Sequence, residues 1–247
     1  MAASLFITSK ALSAAGVVHG FSLRAAGDLR SAGELALLAG AAGLGTVATA
    51  KQVHEDRVVG ALRDGGQREL LAASEAPSAE GADAIVALEP GVAVGVFTAD
   101  CVPVLLYAED TGAAAAVHAG WRGARLSIAA RGVRALQQAT SADPRRMIAA
   151  VGPCIGACCY QVSAELALAF RERFGDDVAD ERRHLDLRRV VERTLRSAGV
   201  ERIEQVEGCT SCDTGSFFSY RRDQRNTGRQ LSFVRSAPAT YSGARAP

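Results

Sequence analysis

The chain has 247 residues, 48% of them hydrophobic, and a formal net charge of +1. That apolar share supplies a substantial core, while the near-zero charge, with both signs interspersed, gives no electrostatic grip on nucleic acid or an anionic membrane. No apolar run approaches the roughly 20 residues of a membrane span. The start, Met1-Ala2-Ala3-Ser4-Leu5-Phe6-Ile7, lacks the basic and long apolar regions of a secretory signal. The expected location is therefore the cytoplasm, and the six cysteines are expected to be reduced thiols or ligands rather than disulfides.

In chain order, residues 5–8 and 17–21 read as short strands around a turn at Ala15-Gly16. Ser31 is placed to cap a helix that stops near Gly40. Residues 46–59 alternate weakly and read as a strand containing His54, and the polar stretch 64–81 reads as a surface loop. A strand-rich block follows: 84–86, then the nearly continuous apolar runs 92–97 and 102–107, then 113–118. Such runs suit strands covered on both faces. After Gly123 the spacing of Leu126, Ile128, Ala129, Val133 and Leu136 predicts a helix. A strand at 147–151 precedes a helix at 162–174 stopped by Gly175, a second helix capped by Asp186 and ended by Gly199, and strands at 203–206 and 231–234. With no repeat and no linker, residues 1–247 read as one α/β domain with a mixed sheet covered by helices.

Three motifs concentrate the chemistry: Lys51-Gln52-Val53-His54, Thr98-Ala99-Asp100-Cys101 and His118-Ala119-Gly120-Trp121-Arg122-Gly123. They hold two of the four histidines and one thiol. Catalytic zinc takes three such ligands and keeps one position open. His54, Cys101 and His118 are therefore expected to converge on one metal from three strands or strand ends. A strand histidine followed by a glycine turn and a helix start also suits an anion, since glycines admit close backbone approach and helix N-termini offer free N–H groups.

The remaining candidates carry more ordinary readings. Cys209-Thr210-Ser211-Cys212 is a C-x-x-C pair that Cys158-Cys159 could complete into a four-sulfur zinc site. Adjacent cysteines make poor partners in one tetrahedron and the usual second C-x-x-C is absent, so these read as packed thiols near the site. His19 reads as a core histidine, His184 as solvated, and Arg24 as an anion contact. Gly152-Pro153-Cys154-Ile155-Gly156 reads as a pocket wall or a plain turn, and residues 218–223 as a salt-bridged turn.

The motifs KQVH at 51–54, ADAIV at 82–86, TADCVPVLL at 98–106, AVHAGWRG at 116–123, VGPCIGACCYQV at 151–162 and FFSYRRDQRNTGRQLSFV at 217–234 together resemble the laccase-domain, or multicopper polyphenol oxidase, family. The resemblance implies a three-layer α/β/α domain. It implies an enzyme that phosphorolyses adenosine, inosine, guanosine and methylthioadenosine and also deaminates adenosine; a monomer is expected. It implies zinc on His54, Cys101 and His118, which are then the catalytic group, and a ligand contact at Arg24; Gln52, Gly120 and Arg122 are further expected toward nucleoside and phosphate from their places in the motifs. The chain departs from the family at Ala25-Ala26-Gly27-Asp28-Leu29. A laccase needs roughly ten histidines for four coppers, so copper survives only as a single ion at the same N/S ligands. Two rival readings remain open. One is a metal-free hydrolase acting on a cell-wall precursor through a Cys101 nucleophile and His118 base. The other is a non-catalytic metalloprotein in which the three residues only brace the sheet.

Overall fold

Apolar alternation with period two builds the strands, and their order decides where the three motifs meet. The computed structural model describes residues 4–75 and 80–238. In chain order the strands are β1 (Phe6–Ile7), β2 (His19–Ser22), β3 (Val47–Ala48), β4 (Val58–Ala61), β5 (Gln67–Leu71), β6 (Ala84–Ala87), β7 (Ala93–Thr98), β8 (Val102–Ala108), β9 (Ala114–Ala119), β10 (Met147–Val151), β11 (Arg202–Gln205) and β12 (Gln230–Arg235). The helices are α1 (Lys10–Ala14), α2 (Ala32–Ala41), α3 (Trp121–Arg125), α4 (Ile128–Thr140), α5 (Ala164–Phe174), α6 (Leu187–Ser197) and α7 (Tyr220–Asp223).

The strands form two mixed sheets. One runs β1-β2-β12-β7-β3 and the other β11-β10-β8-β9-β6-β4-β5. Parallel pairing occurs between β3 and β7, β10 and β11, and β4 and β6; the other pairs are antiparallel. Alternate residues of the larger sheet enter different cores. Val102, Val104 and Leu106 of β8, with Val117 of β9, pack under α4, α5 and α6, where Ile128, Val133, Phe170 and Leu195 are buried. Leu105 and Tyr107 of β8, with Ala114 and Ala116 of β9, face the smaller sheet through Phe21, Val94, Val96 and Val234. The outer face of the smaller sheet is closed by α2, where Leu38 and Ala39 meet Leu231 and Phe233. Each fully buried side chain of this size contributes roughly 1.5–3 kcal/mol.

The α/β class and the mixed pairing agree with the sequence; the single sheet between helices does not. An apolar run covered on both faces does not reveal whether a helix or a second sheet provides the cover, and here β7 and β8, four residues apart, belong to different sheets. The expected strand over 46–59 is two short strands in different sheets with an irregular crossing between them, and His54 lies in that crossing. The expected loop over 64–81 contains β5, an edge strand with exposed polar residues; residues 76–79 lie outside the described part. The helix α1 carries no sequence signal beyond Ser9, whose side chain accepts the Leu12 N–H.

That short helix is held from outside. The Glu204 carboxylate of β11 accepts hydrogen bonds from Ser9 Oγ at 2.6 Å, the Lys10 N–H at 3.0 Å and the Ala11 N–H at 2.7 Å. Partial burial pushes its pKa up, but the hydrogen bonds from Ser9, Ala11 and Lys10 outweigh this and hold it below the usual carboxylate range. Removing such a cap costs about 1 kcal/mol, so Glu204→Ala should lower unfolding free energy by that amount in urea titrations. A depressed folded pKa means the contribution is present above the unfolded value of about 4.3 and is lost as pH falls through the folded one. The gap between wild type and variant should therefore close in acid; a gap independent of pH would contradict this role.

Candidate functional site

Of the segments that step between the sheets, two carry a sequence motif. The crossing from β3 to β4 holds His54, whose φ of 64° is left-handed. The crossing from β7 to β8 holds Asp100, at φ 92°, followed by Cys101. A non-glycine residue in such a conformation costs roughly 1–3 kcal/mol and persists only where its surroundings over-determine it. His118 comes from β9, the neighbour of β8 in the larger sheet.

The over-determination at His54 is a single carboxylate. Asp83, fully buried ahead of β6, accepts N–H groups from Val53 at 3.2 Å, His54 at 2.9 Å and Glu55 at 2.8 Å. Its Oδ1 also lies 2.7 Å from His118 Nδ1. An ionised carboxylate only accepts, so Nδ1 carries the proton and Nε2 is left available to a ligand. Burial pushes the Asp83 pKa up, yet His118 and the N–H groups of Glu55 and His54 bring it below its ordinary value. At Asp100 the carboxylate accepts the Thr210 hydroxyl at 2.6 Å and the Arg221 N–H at 2.6 Å, while its carbonyl accepts the Ile155 N–H at 2.9 Å.

One ligand atom each from His54, Cys101 and His118 lies within 4.8 Å of the other two. The imidazole rings stand nearly perpendicular, at 84°, with centroids 4.8 Å apart. Gly120 completes the cradle: a Cβ there would meet His54 Cδ2 at 3.0 Å, Cys101 Sγ at 3.2 Å and His118 Cε1 at 3.9 Å. Burial alone would push the Cys101 thiol up, but the charge of His118 and hydrogen bonds from both histidines bring it down to about 6. Burial likewise disfavours charged His118, but Cys101 and Asp83 raise it to about 9. Each group thus favours the charged form of the other. The donor set, two imidazoles and an easily ionised thiol, is chemically suited to a borderline-soft metal ion.

The three residues form part of the wall of a cavity of about 710 Å³ that also includes Arg30, Lys51, Gln52, Phe97, Trp121, Tyr160, Tyr220, Arg221 and Arg229. The other expected site residues divide. Gln52 borders the cavity, but its amide is spent on the Phe97 backbone, donating to the carbonyl at 2.7 Å and accepting the N–H at 2.7 Å. Gly120 lies against the cluster, as above. Arg122 stacks on Trp121 at 5.0 Å and lines a smaller cavity of about 320 Å³ that shares only His54 and Trp121 with the large one. Arg24 is not among the residues lining the large cavity; it stacks over Phe218 at 4.9 Å and approaches Asp223 at 3.8 Å.

His19 is the core histidine expected: Nδ1 is 2.9 Å from the Val17 carbonyl, Nε2 accepts the Ser9 N–H at 2.8 Å, and burial lowers its pKa. His184, expected in solvent, is half-buried and pairs with Asp180 at 3.0 Å. All six cysteines are free thiols, and Cys158, Cys159, Cys209 and Cys212, expected as packed thiols near the site, gather into one group.

Sequence reasoning missed Asp83 and the cavity arginines. Asp83 stood in the quoted ADAIV motif, and an isolated acid between apolar residues, at the mouth of a buried strand, was the available signal. Arg30 follows the segment where the chain departs from the family pattern, and Arg229 returns beside it, its N–H donating to Asp28 at 3.0 Å.

Comparisons place this geometry among known proteins. The family described as multi-copper polyphenol oxidoreductase laccase matches residues 29–237. A protein of Clostridium acetobutylicum named purine nucleoside phosphorylase is 34% identical over 187 residues, covering 74% of either chain. A protein named adenosine deaminase, from an unknown prokaryotic organism, is 37% identical over 194 residues, 74% of this chain and 72% of that one. The crystal structure of YlmD from Geobacillus stearothermophilus has a TM-score of 0.79 at 28% identity, covering 95% of this chain and 100% of that chain.

Removing Asp83 should be among the most damaging single changes. Asp83→Ala strands three backbone N–H groups and one ring N–H, and deleting one partner of a buried charged network costs about 3–5 kcal/mol. Urea unfolding of the variant should show a loss of that size; a loss below about 1 kcal/mol would refute the central role of this carboxylate.

Proposed function

The chain belongs to the multi-copper polyphenol oxidoreductase laccase family, and on that premise we propose that it is a zinc-dependent purine nucleoside phosphorylase. Its substrates are adenosine, inosine, guanosine and methylthioadenosine with inorganic phosphate, and it also deaminates adenosine. The observation that carries the reading is the meeting of His54, Cys101 and His118 at the wall of a cavity large enough for a nucleoside and lined with aromatic rings and arginines. The names of the Clostridium and prokaryotic relatives support the same substrate class. A multi-copper oxidase is disfavoured by the ligand supply. Of four histidines, His19 is engaged by Val17 and Ser9 and His184 by Asp180, which leaves two for a metal.

His54, Cys101 and His118 would hold the zinc. When bound, it supplies a Lewis acid that draws charge from whatever substrate group occupies its open position. In phosphorolysis a phosphate oxygen bonds to the anomeric carbon of the sugar while the bond from that carbon to the purine nitrogen breaks. Arg30, Arg229 and Arg221 offer charge to the phosphate, and forked guanidinium groups suit its oxygens. Trp121, Phe97 and Tyr220 offer apolar faces to the base. Burial and then the charge of Cys101 push the Tyr160 hydroxyl up to about 12, so it keeps its proton and can donate a hydrogen bond inside the cavity. Asp83 keeps the proton of His118 on Nδ1. One core of the described residues is built from both sheets, which supports one domain. Among the described residues no helix is long and apolar enough to cross a membrane.

The Cys101 and His118 charge pair also favours a second reading, a hydrolase that uses this thiolate directly on a cell-wall precursor. Metal removal separates the two. Chelation should abolish turnover of adenosine with phosphate, and added zinc should restore it. Cys101→Ser should lower turnover by at least about 100-fold and weaken zinc binding, because a neutral hydroxyl is a poor zinc ligand. Full activity after verified metal removal would favour the hydrolase.

A further inference from the structure

A second group of metal-ligating side chains lies outside the cavity wall. Cys158 and Cys159 come from the turn between β10 and α5, and Cys209 and Cys212 from the segment between β11 and α7. Their sulfurs lie 3.8 Å apart for Cys158 and Cys159, 3.6 Å for Cys158 and Cys209, 3.6 Å for Cys158 and Cys212, and 3.3 Å for Cys159 and Cys212. Zinc in a four-thiolate site sits about 2.3 Å from each sulfur, which sets tetrahedron edges of about 3.8 Å. We propose that Cys158, Cys159, Cys209 and Cys212 form a structural site that holds one zinc ion through four thiolates.

The backbone of both arms fits that role. Gly156 closes the first arm: the Cys159 and Tyr160 N–H groups both turn back to its carbonyl, at 3.0 and 3.1 Å. A Cβ on Gly156 would press on Cys158 Sγ at 3.2 Å and touch Cys209 Sγ at 3.5 Å, so glycine gives the two arms room to close. Its N–H donates to Cys209 Sγ at 3.2 Å, the backbone-to-sulfur contact that stabilises a bound thiolate. This turn also removes the objection to adjacent cysteines, because it swings both sulfurs to the side of the second arm.

The second arm is tied to the first by the Thr210 N–H on the Cys154 carbonyl at 3.0 Å. The Arg222 guanidinium, itself paired with Asp223 at 2.8 Å, donates to the Thr210 and Ser211 carbonyls at 2.8 and 3.2 Å and so fixes the backbone of the second arm. Cys158 and Cys212 are exposed, so hydrophobic burial does not account for the gathering. Binding replaces the four thiol protons, which pass to solvent. Sulfur ligation alone, with no fifth donor in the group, describes a closed site with no open position for a substrate.

The site bears on the cavity through Asp100. The Ile155 N–H, next to the first arm, donates to the Asp100 carbonyl, and the Thr210 hydroxyl, inside the second arm, donates to its carboxylate. Joining the arms through zinc therefore fixes the residue that precedes Cys101.

The test uses the full chain carrying Cys101→Ser, purified with zinc. Elemental analysis should give about one zinc per chain, and X-ray absorption at the zinc edge should show four sulfur neighbours near 2.3 Å and no nitrogen or oxygen. In the wild-type chain, Cys158, Cys159, Cys209 and Cys212 should resist alkylation until a chelator is added. The double variant Cys158→Ser with Cys212→Ser should lose the all-sulfur signal. Absence of zinc from the Cys101→Ser chain, a shell containing nitrogen or oxygen, iron in place of zinc, or a disulfide within the group by mass spectrometry would each overturn the proposal. All-sulfur zinc in the Cys101→Ser chain upholds it even if the wild-type chain turns over no nucleoside.

Discussion

Everything around the cavity depends on satisfying one buried negative charge. A carboxylate with no access to water must be surrounded by donors, and Asp83 finds four: three consecutive backbone N–H groups of the β3-to-β4 crossing and the Nδ1–H of His118. Solving that local problem bends the 53–55 backbone around the carboxylate, puts His54 in a left-handed conformation, and selects the tautomer of His118. Two histidines from distant parts of the chain are thus aligned by one acid that is not among the residues lining the cavity.

The pairing of the two sheets gives this arrangement its rigidity. The step from β7 to β8 is short and anchored at both ends, so a side chain placed on it inherits the precision of the strands. Cys101 benefits most, since β7 and β8 are central in their sheets and Asp100 between them is held on both its carbonyl and its carboxylate. Residues on the outer arms, such as Arg24 and Arg122, instead find partners among their own neighbours.

Much of this was legible in the sequence where a period or a chemically rare residue carried it. The β8 and β9 runs, the apolar stripes of α4 and α6, and the cap at Asp186, which accepts the Arg189 N–H, follow from spacing alone. The gathering of His54, Cys101 and His118 was readable because histidine and cysteine are scarce here and stood beside glycines. The second sheet was not legible, since alternation reports burial and not the kind of layer that provides it. Nor was the surrounding of Asp83, where the partners are backbone groups that every residue possesses. The gathering of the four cysteines was not legible for a related reason: adjacency of Cys158 and Cys159 counts against one tetrahedron in the sequence, and the reversal at Gly156 that turns both toward the second arm is a backbone feature.

The double hydrogen bond from Gln52 to Phe97 has a wider consequence. Pairing of β3 with β7 stops at Ala48 and Val94, and a few residues later a side-chain amide takes the place that a peptide group of a continuing strand would fill. A side chain can serve as a ladder rung without the intervening backbone keeping step with the sheet. The chain between Ala48 and Gln52, which lends Ala50 and Lys51 to the cavity, is thereby released from register. It answers instead to the approach of the larger sheet, where the Lys51 carbonyl accepts the Ala82 N–H at 2.9 Å and the Thr49 carbonyl accepts the Gln67 amide at 2.9 Å, so this wall of the cavity is set by one sheet while the amide that anchors it belongs to the other.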